Sequence, residues 1–75
     1  MPKPDFSFLE QYWNSGFVAR DAVKEFTGGI INPKTLANLD SKGLGPEGRV
    51  RIGRKIAYRV KPFIRWLEAR AELVR

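Results

Sequence analysis

Asn32-Pro33-Lys34-Thr35-Leu36-Ala37-Asn38-Leu39-Asp40-Ser41-Lys42-Gly43 reads as a helix with both ends written into it. Asparagine before proline is an N-cap followed by a residue whose fixed φ suits the first helical position and whose missing N–H would have no partner there anyway. Lys42-Gly43 closes it with a basic last turn and a residue free to take positive φ. The predicted helix therefore runs from about Pro33 to Lys42. If Leu36 and Leu39 mark its buried side, a step of about 100° per residue places Lys34, Asn38 and Ser41 opposite, Ala37 and Lys42 at the margins, and Thr35 nearer the core edge.

Beyond it the period changes. Leu44 to Gly48 holds two glycines and a proline, which forbid regular structure and leave a flexible hinge. Arg49-Val50-Arg51-Ile52 then alternates as a strand, and Ile56-Ala57-Tyr58-Arg59-Val60 is its partner. Turn chemistry favours a two-residue Gly53-Arg54 loop, which sets Arg51 against Ile56 and Arg49 against Tyr58. A three-residue loop, Gly53 to Lys55, pairs Ile52 with Ile56 and Val50 with Tyr58 on one buried face and leaves Arg49, Arg51, Ala57 and Arg59 outside. Burial of the apolar set favours the second register, at the cost of placing Arg49 opposite Arg59.

Upstream, Ala19 to Phe26 puts Ala22, Val23 and Phe26 on one side and is stopped by Gly28-Gly29. Together with the Pro33 helix it has the size and spacing of a helix-turn-helix. Ser7-Phe8-Leu9-Glu10 has the spacing of a capping box, and Phe8, Leu9, Tyr12 and Trp13 continue a short first helix up to Asn14-Ser15-Gly16, although Lys3 and the proline-flanked start also read as a loose arm. After Pro62, the residues Phe63, Trp66, Leu67, Arg70, Ala71 and Val74 recur at helical spacing, and Phe63, Trp66 and Leu67 are assigned to the core.

The fold expected is thus α+β, a small winged helix-turn-helix with a two-stranded hairpin wing and a C-terminal helix. Its 75 residues make a single domain: 1–16 an arm or short helix, 17–67 the body, 68–75 the end of the last helix. Nine aromatic residues spread from Phe6 to Trp66 supply the core. Cysteine and histidine are both missing, which excludes disulfides and thiolate or imidazole metal sites. With no clustered carboxylate pair, no enzyme chemistry and no cofactor are expected. Gly43-Leu44-Gly45-Pro46-Glu47-Gly48 has the glycines of a phosphate loop but not its lysine and hydroxyl residue. No apolar run approaches the roughly 20 residues that cross a bilayer, and Met1 to Asp5 has no signal pattern, so the expectation is a cytoplasmic protein.

The charge is placed unevenly. Residues 1–41 carry four basic and five acidic side chains, whereas 42–61 carry seven basic ones (Lys42, Arg49, Arg51, Arg54, Lys55, Arg59 and Lys61) against Glu47 alone, and the whole chain stands at +6. A single-sign concentration in one segment points to a polyanion. Asparagine can bond an adenine edge twice, lysine a guanine edge or a phosphate, and a small alanine lets a helix approach a thymine methyl. Candidate DNA contacts are therefore Asn32, Lys34, Thr35, Ala37, Asn38, Ser41 and Lys42 on the helix, and Arg49, Arg51, Arg54, Lys55 and Arg59 on the wing. RNA is disfavoured because no aromatic residue falls on the outward side of the inferred ribbon. A protein-interaction module for an acidic partner is the reading from another class.

Val18-Ala19-Arg20-Asp21-Ala22-Val23-Lys24-Glu25-Phe26, Asn32-Pro33-Lys34-Thr35-Leu36, Lys42-Gly43-Leu44, Val50 to Val60 and Phe63-Ile64-Arg65-Trp66-Leu67, in that order, resemble the excisionase (Xis) and AlpA-type group of phage DNA-binding proteins, which is related to the DNA-binding domain of MerR-type regulators. The resemblance covers about Phe17 to Leu67. It implies a recognition helix at Pro33 to Lys42 in the major groove and the Arg49 to Val60 hairpin on neighbouring backbone or minor groove. It further implies either a recombination directionality factor, bending prophage attachment-site DNA in side-by-side copies to assist a tyrosine integrase, or an AlpA-type transcriptional regulator.

Overall fold

A computed structural model describes residues 4–74 of the chain; the arm reading of the start around Lys3 lies outside the described residues. The order of elements is α1 (Leu9–Tyr12), β1 (Phe17–Ala19), a 3₁₀ turn (Arg20–Ala22), α2 (Val23–Phe26), α3 (Pro33–Ser41), β2 (Val50–Ile52), β3 (Lys55–Arg59) and α4 (Val60–Arg70). This is an α+β fold, helices over one three-stranded antiparallel sheet of order β1-β3-β2.

Helix α3 forms where its caps dictate. The Asn32 side-chain oxygen accepts the Thr35 N–H at 2.8 Å and Pro33 opens the helix. At the other end Gly43, with φ +73°, lets its own N–H reach Asp40 O at 3.0 Å and the Leu44 N–H reach Leu39 O at 2.9 Å. That pair of bonds is a Schellman stop. The same motif ends α2, where Gly29 N bonds Lys24 O at 2.7 Å and Gly28 N bonds Glu25 O at 3.2 Å. Between them Thr27, buried, donates its hydroxyl to Val23 O at 2.8 Å and accepts from Ile31 N at 3.0 Å, which fixes the long connection.

Four expectations are corrected. First, the segment read as one helix from Ala19 is divided: Ala19 closes β1, which pairs Phe17 with Arg59, Val18 with Tyr58 and Ala19 with Ala57. A three-residue strand is too short to show a period of its own. Second, the hairpin takes the two-residue register, Val50 opposite Ala57, Arg51 opposite Ile56 and Ile52 opposite Lys55. Gly53 has φ +63°, so turn geometry prevails over apolar pairing. The other edge of β3 is paired by β1, with Val18 against Tyr58, and Ala57 is buried while Ile52 is exposed, the reverse of the expected faces. Third, no capping box forms. The Asp5 carboxylate accepts the Ser7 N–H at 2.9 Å, Phe8 precedes α1 without a side-chain cap, and Glu68 Oε2 accepts the Phe6 N–H at 2.7 Å from across the molecule. Fourth, α4 starts at Val60 and ends at Arg70. Val60 belongs to the helix, its N–H held by Gly16 O at 3.0 Å, and Leu73 and Val74 lie exposed past its end.

The core is Val18, Val23, Phe26, Leu36, Tyr58, Val60, Phe63 and Ile64. Edge-to-face ring contacts run from Trp13 to Phe26 (5.1 Å between centroids), Phe26 to Phe63 (5.5 Å) and Phe63 to Tyr58 (5.4 Å), each adding about 0.5–1.5 kcal/mol to the burial itself. Phe63 sits at the centre with no exposure, so Phe63→Ala costs about 3–5 kcal/mol. Trp66 and Leu67 line the border, and the Trp66 indole N–H bonds Leu44 O at 3.0 Å, anchoring the hinge that precedes the hairpin.

Candidate nucleic-acid interface

Tyr58 decides which way each side chain of the hairpin faces. Its ring lies in the core and its hydroxyl bonds Asp40 of α3, so α3 and the Tyr58 side of the sheet are on one face. Cross-strand partners share a face and successive residues alternate. Ile56 and its partner Arg51 therefore stand on the α3 side, as does Arg49. Arg59, opposite Phe17, and Ala57, opposite Val50, look the other way.

On α3, Lys34, Thr35, Asn38, Ser41 and Lys42 are exposed and Ala37 is half-buried. Thr35 is thus more open than its expected place near the core edge. Asn32 is exposed, with its oxygen committed to the cap, and the Ser41 hydroxyl donates to Asn38 O at 2.8 Å. Pro33 at the start of α3 and Arg54 and Lys55 at the hairpin turn line one open cleft of about 210 Å³, together with Arg20, Asp21 and Ile56. Helix and hairpin tip, remote in sequence, flank one surface.

The cations of that surface differ in their freedom. Lys55 Nζ lies 2.6 Å from Asp21 Oδ2 in an exposed pair; hydrogen bonding and charge hold the Asp21 carboxyl below its ordinary range and the Lys55 amine above its own. Arg51, Arg54, Lys34 and Lys42 have no carboxylate within ion-pair distance among the described residues.

Behind the surface lies a group that the residue pattern did not flag. Asp40 is buried on α3, one turn from Leu36. Its Oδ2 accepts from Arg20 Nη2 at 2.7 Å and from the Tyr58 hydroxyl, and Arg20 Nε donates to that hydroxyl at 3.0 Å. Its Oδ1 faces Arg49 Nη1 at 3.5 Å, without a hydrogen bond among the described residues. Burial, and then the Asp40 hydrogen bond, push the Tyr58 phenol up to about 12, against the opposing pull of Arg20. The Arg20 guanidinium is raised above its ordinary value, chiefly by the Tyr58 hydrogen bond. One carboxylate therefore joins the 3₁₀ turn, α3, β3 and the foot of the hairpin. The signal was present: an aspartate four residues after Leu36 falls on the apolar stripe, where a charge must find partners.

Among the described residues no group of three or more acidic, histidine or cysteine side chains could hold a metal ion, and no helix is long and apolar enough to cross a membrane. Compared with known proteins, the chain matches no family model, no curated protein and no solved structure.

Proposed function

We propose that the chain binds double-stranded DNA in a sequence-dependent manner, with α3 in the major groove and the β2–β3 hairpin on the adjoining backbone or minor groove. The observation that carries this reading is the shared surface. The start of α3 at Pro33 and the hairpin-turn cations Arg54 and Lys55 line one cleft, Lys34 and Asn38 are exposed on the same helix and Arg51 is exposed on the hairpin, which supports the combination of a base-reading element with a phosphate-neutralising one. An α-helix with its side chains is about 10–12 Å across, which fits a major groove about 12 Å wide.

Within that reading, the order of elements that resembles the excisionase and AlpA-type group supports a phage or prophage role as a recombination directionality factor. A single module covers about 600–1,000 Å² of its own surface, so we expect adjacent copies, or an integrase alongside, and a duplex curved to bring both elements into contact. The same surface at a promoter would make a regulator of the AlpA type.

Enrichment from a pool of random-sequence duplexes tests the DNA-binding reading: a short common motif is expected, and an unenriched pool contradicts sequence-dependent binding. Circular-permutation gel shifts and an excision assay supplied with a tyrosine integrase then separate the two roles. Bending together with excision that depends on the chain supports the directionality factor. Straight DNA and unchanged excision favour the regulator.

A further inference from the structure

We propose that the chain carries a second polyanion site in the cleft between β1 and the start of α4, lined by Arg59, Lys61 and Arg65 beside Phe17, and that this cleft takes the phosphates of a second stretch of duplex DNA. The inference rests on the DNA-binding reading above and extends it to a molecule that holds two segments at once.

The cleft is open, about 480 Å³, and lies between the Ser15-Gly16-Phe17 approach to β1 and the first turns of α4. Arg59 enters it because the two-residue hairpin register and the β1 pairing place it opposite Phe17, on the face away from Tyr58. Lys61 and Arg65 are one turn apart on α4, so their Cβ atoms are about 5–6 Å apart on one side of the helix. All three cations are exposed, and none is within ion-pair distance of a carboxylate among the described residues; Glu10 is the single acid on the rim. The frame beneath them is fixed: Val60 N bonds Gly16 O at 3.0 Å and the Trp13 indole N–H bonds Phe17 O at 2.8 Å.

Three like charges gathered on a rigid frame repel one another, and a structural role would have paired them as Asp40 pairs Arg20. A counter-anion of several charges relieves that repulsion. A protein partner would need an apolar centre to bury, and Phe17 is the one large exposed apolar side chain in this cleft. A phosphate row needs only the cations, with the Phe17 ring beside the sugars. This cleft shares no lining residue with the one between Pro33 and the hairpin turn, and its Arg59 and Phe17 stand on the sheet face away from Tyr58, so a straight duplex seated on α3 and the hairpin turn leaves it free. A second duplex, or a distant part of a bent one, reaches it.

The test uses the full chain with two variants, Lys61→Gln/Arg65→Gln on α4 and Lys34→Gln/Arg51→Gln on the α3 side, both at exposed positions, with circular dichroism to confirm folding. Anisotropy measures binding to a single short duplex, and energy transfer between donor-labelled and acceptor-labelled duplexes measures bridging. Wild type should bind the duplex and bring two together. The α4 pair should lose bridging by tenfold or more while its affinity for one duplex changes less than about threefold. The α3-side pair should lose single-duplex affinity on the order of tenfold or more. Bridging unaltered in the α4 pair, or a single-duplex loss as large as that of the α3-side pair, overturns the second site and leaves the proposed function standing. An acidic polyglutamate peptide that shifts the Lys61 amide while a second duplex does not also overturns it. A wild type that binds no duplex removes both.

Discussion

Asp40 Oδ1 stands 3.5 Å from Arg49 Nη1, a contact that joins the buried side of α3 to the foot of the hairpin. The other carboxylate oxygen is already taken by Arg20 and Tyr58, so one buried anion sets the helix and the hairpin relative to each other. Removing it leaves Arg20 and Tyr58 without their acceptor. Asp40→Ala should lower stability by about 3 kcal/mol, and Asp40→Asn, which keeps an oxygen, by about 1–2 kcal/mol. Urea unfolding reads both. An alanine variant within about 0.5 kcal/mol of wild type, the range of an ordinary surface change, would show that this cluster does not hold the fold.

Gly45 provides a sharper steric test of the same group. A Cβ built there meets Asp40 Oδ1 at 1.8 Å, whereas one at Gly16 meets nothing within 4 Å, and neither glycine has a positive φ. The carboxylate cannot swing aside without breaking its bonds to Arg20 and Tyr58. Gly45→Ala should therefore cost about 1–3 kcal/mol, a fall in Tm of roughly 4–8 °C for each kcal/mol in a chain this size. Gly16→Ala should leave Tm unchanged or slightly raised. Equal melting temperatures for the two variants would contradict the close approach of Gly45 to Asp40.

Tyr58 gives the cluster an alkaline signature. Its phenol is pushed up to about 12 in the fold from an ordinary 10.0, first by burial, so the native state favours the neutral form. That contribution is fully present below pH 10 and lost as pH rises through 12, and its size is about 2–3 kcal/mol. Stability measured from pH 9 to 12 should fall more steeply in wild type than in Tyr58→Phe. Parallel slopes would mean that the phenol is not the titrating group.

On the proposed DNA-binding reading, the exposed Asp21–Lys55 pair, 2.6 Å apart, would compete with DNA for a cation of the hairpin turn. Asp21→Asn should leave stability close to that of wild type and tighten binding to duplexes of any sequence severalfold, by freeing Lys55 and removing a negative charge from the cleft lining. Unchanged or weaker binding on anisotropy would place Lys55 outside the contact surface.

How much of this was legible in the residues varied with the kind of signal. Helix α3 was, because Asn32-Pro33 and Lys42-Gly43 are local chemistry that acts within one turn, and the structure uses both ends as written. The hairpin was legible as an element but not in its faces. Alternation alone cannot reveal that a third strand, Phe17–Ala19, shields Tyr58 and releases β2 from covering the core. The two-residue register turns Arg59 to the face away from Arg49 and Arg51, removing the like-charge opposition the other register implies, and the third strand puts the exposed Phe17 beside Arg59 on that outer face, where the sequence alone shows no aromatic residue. The Asp40 cluster stayed out of sight because its partners, Arg20, Arg49 and Tyr58, come from three other segments.

The most direct test of DNA recognition by α3 and the hairpin is a salt titration of duplex binding, run in parallel on wild type, Asn38→Ala and Arg54→Ala. Neutralising about five phosphates gives a slope of log K against log salt near −4.5, so affinity should fall several hundredfold between roughly 50 and 200 mM salt. Asn38→Ala should keep that slope and lose about 1–3 kcal/mol of preference for the selected site over random DNA, whereas Arg54→Ala should weaken all sequences alike and flatten the slope by about one. A flat salt response in wild type, or equal losses on selected and random DNA for Asn38→Ala, would contradict the assignment of α3 and the hairpin as the DNA-reading surface.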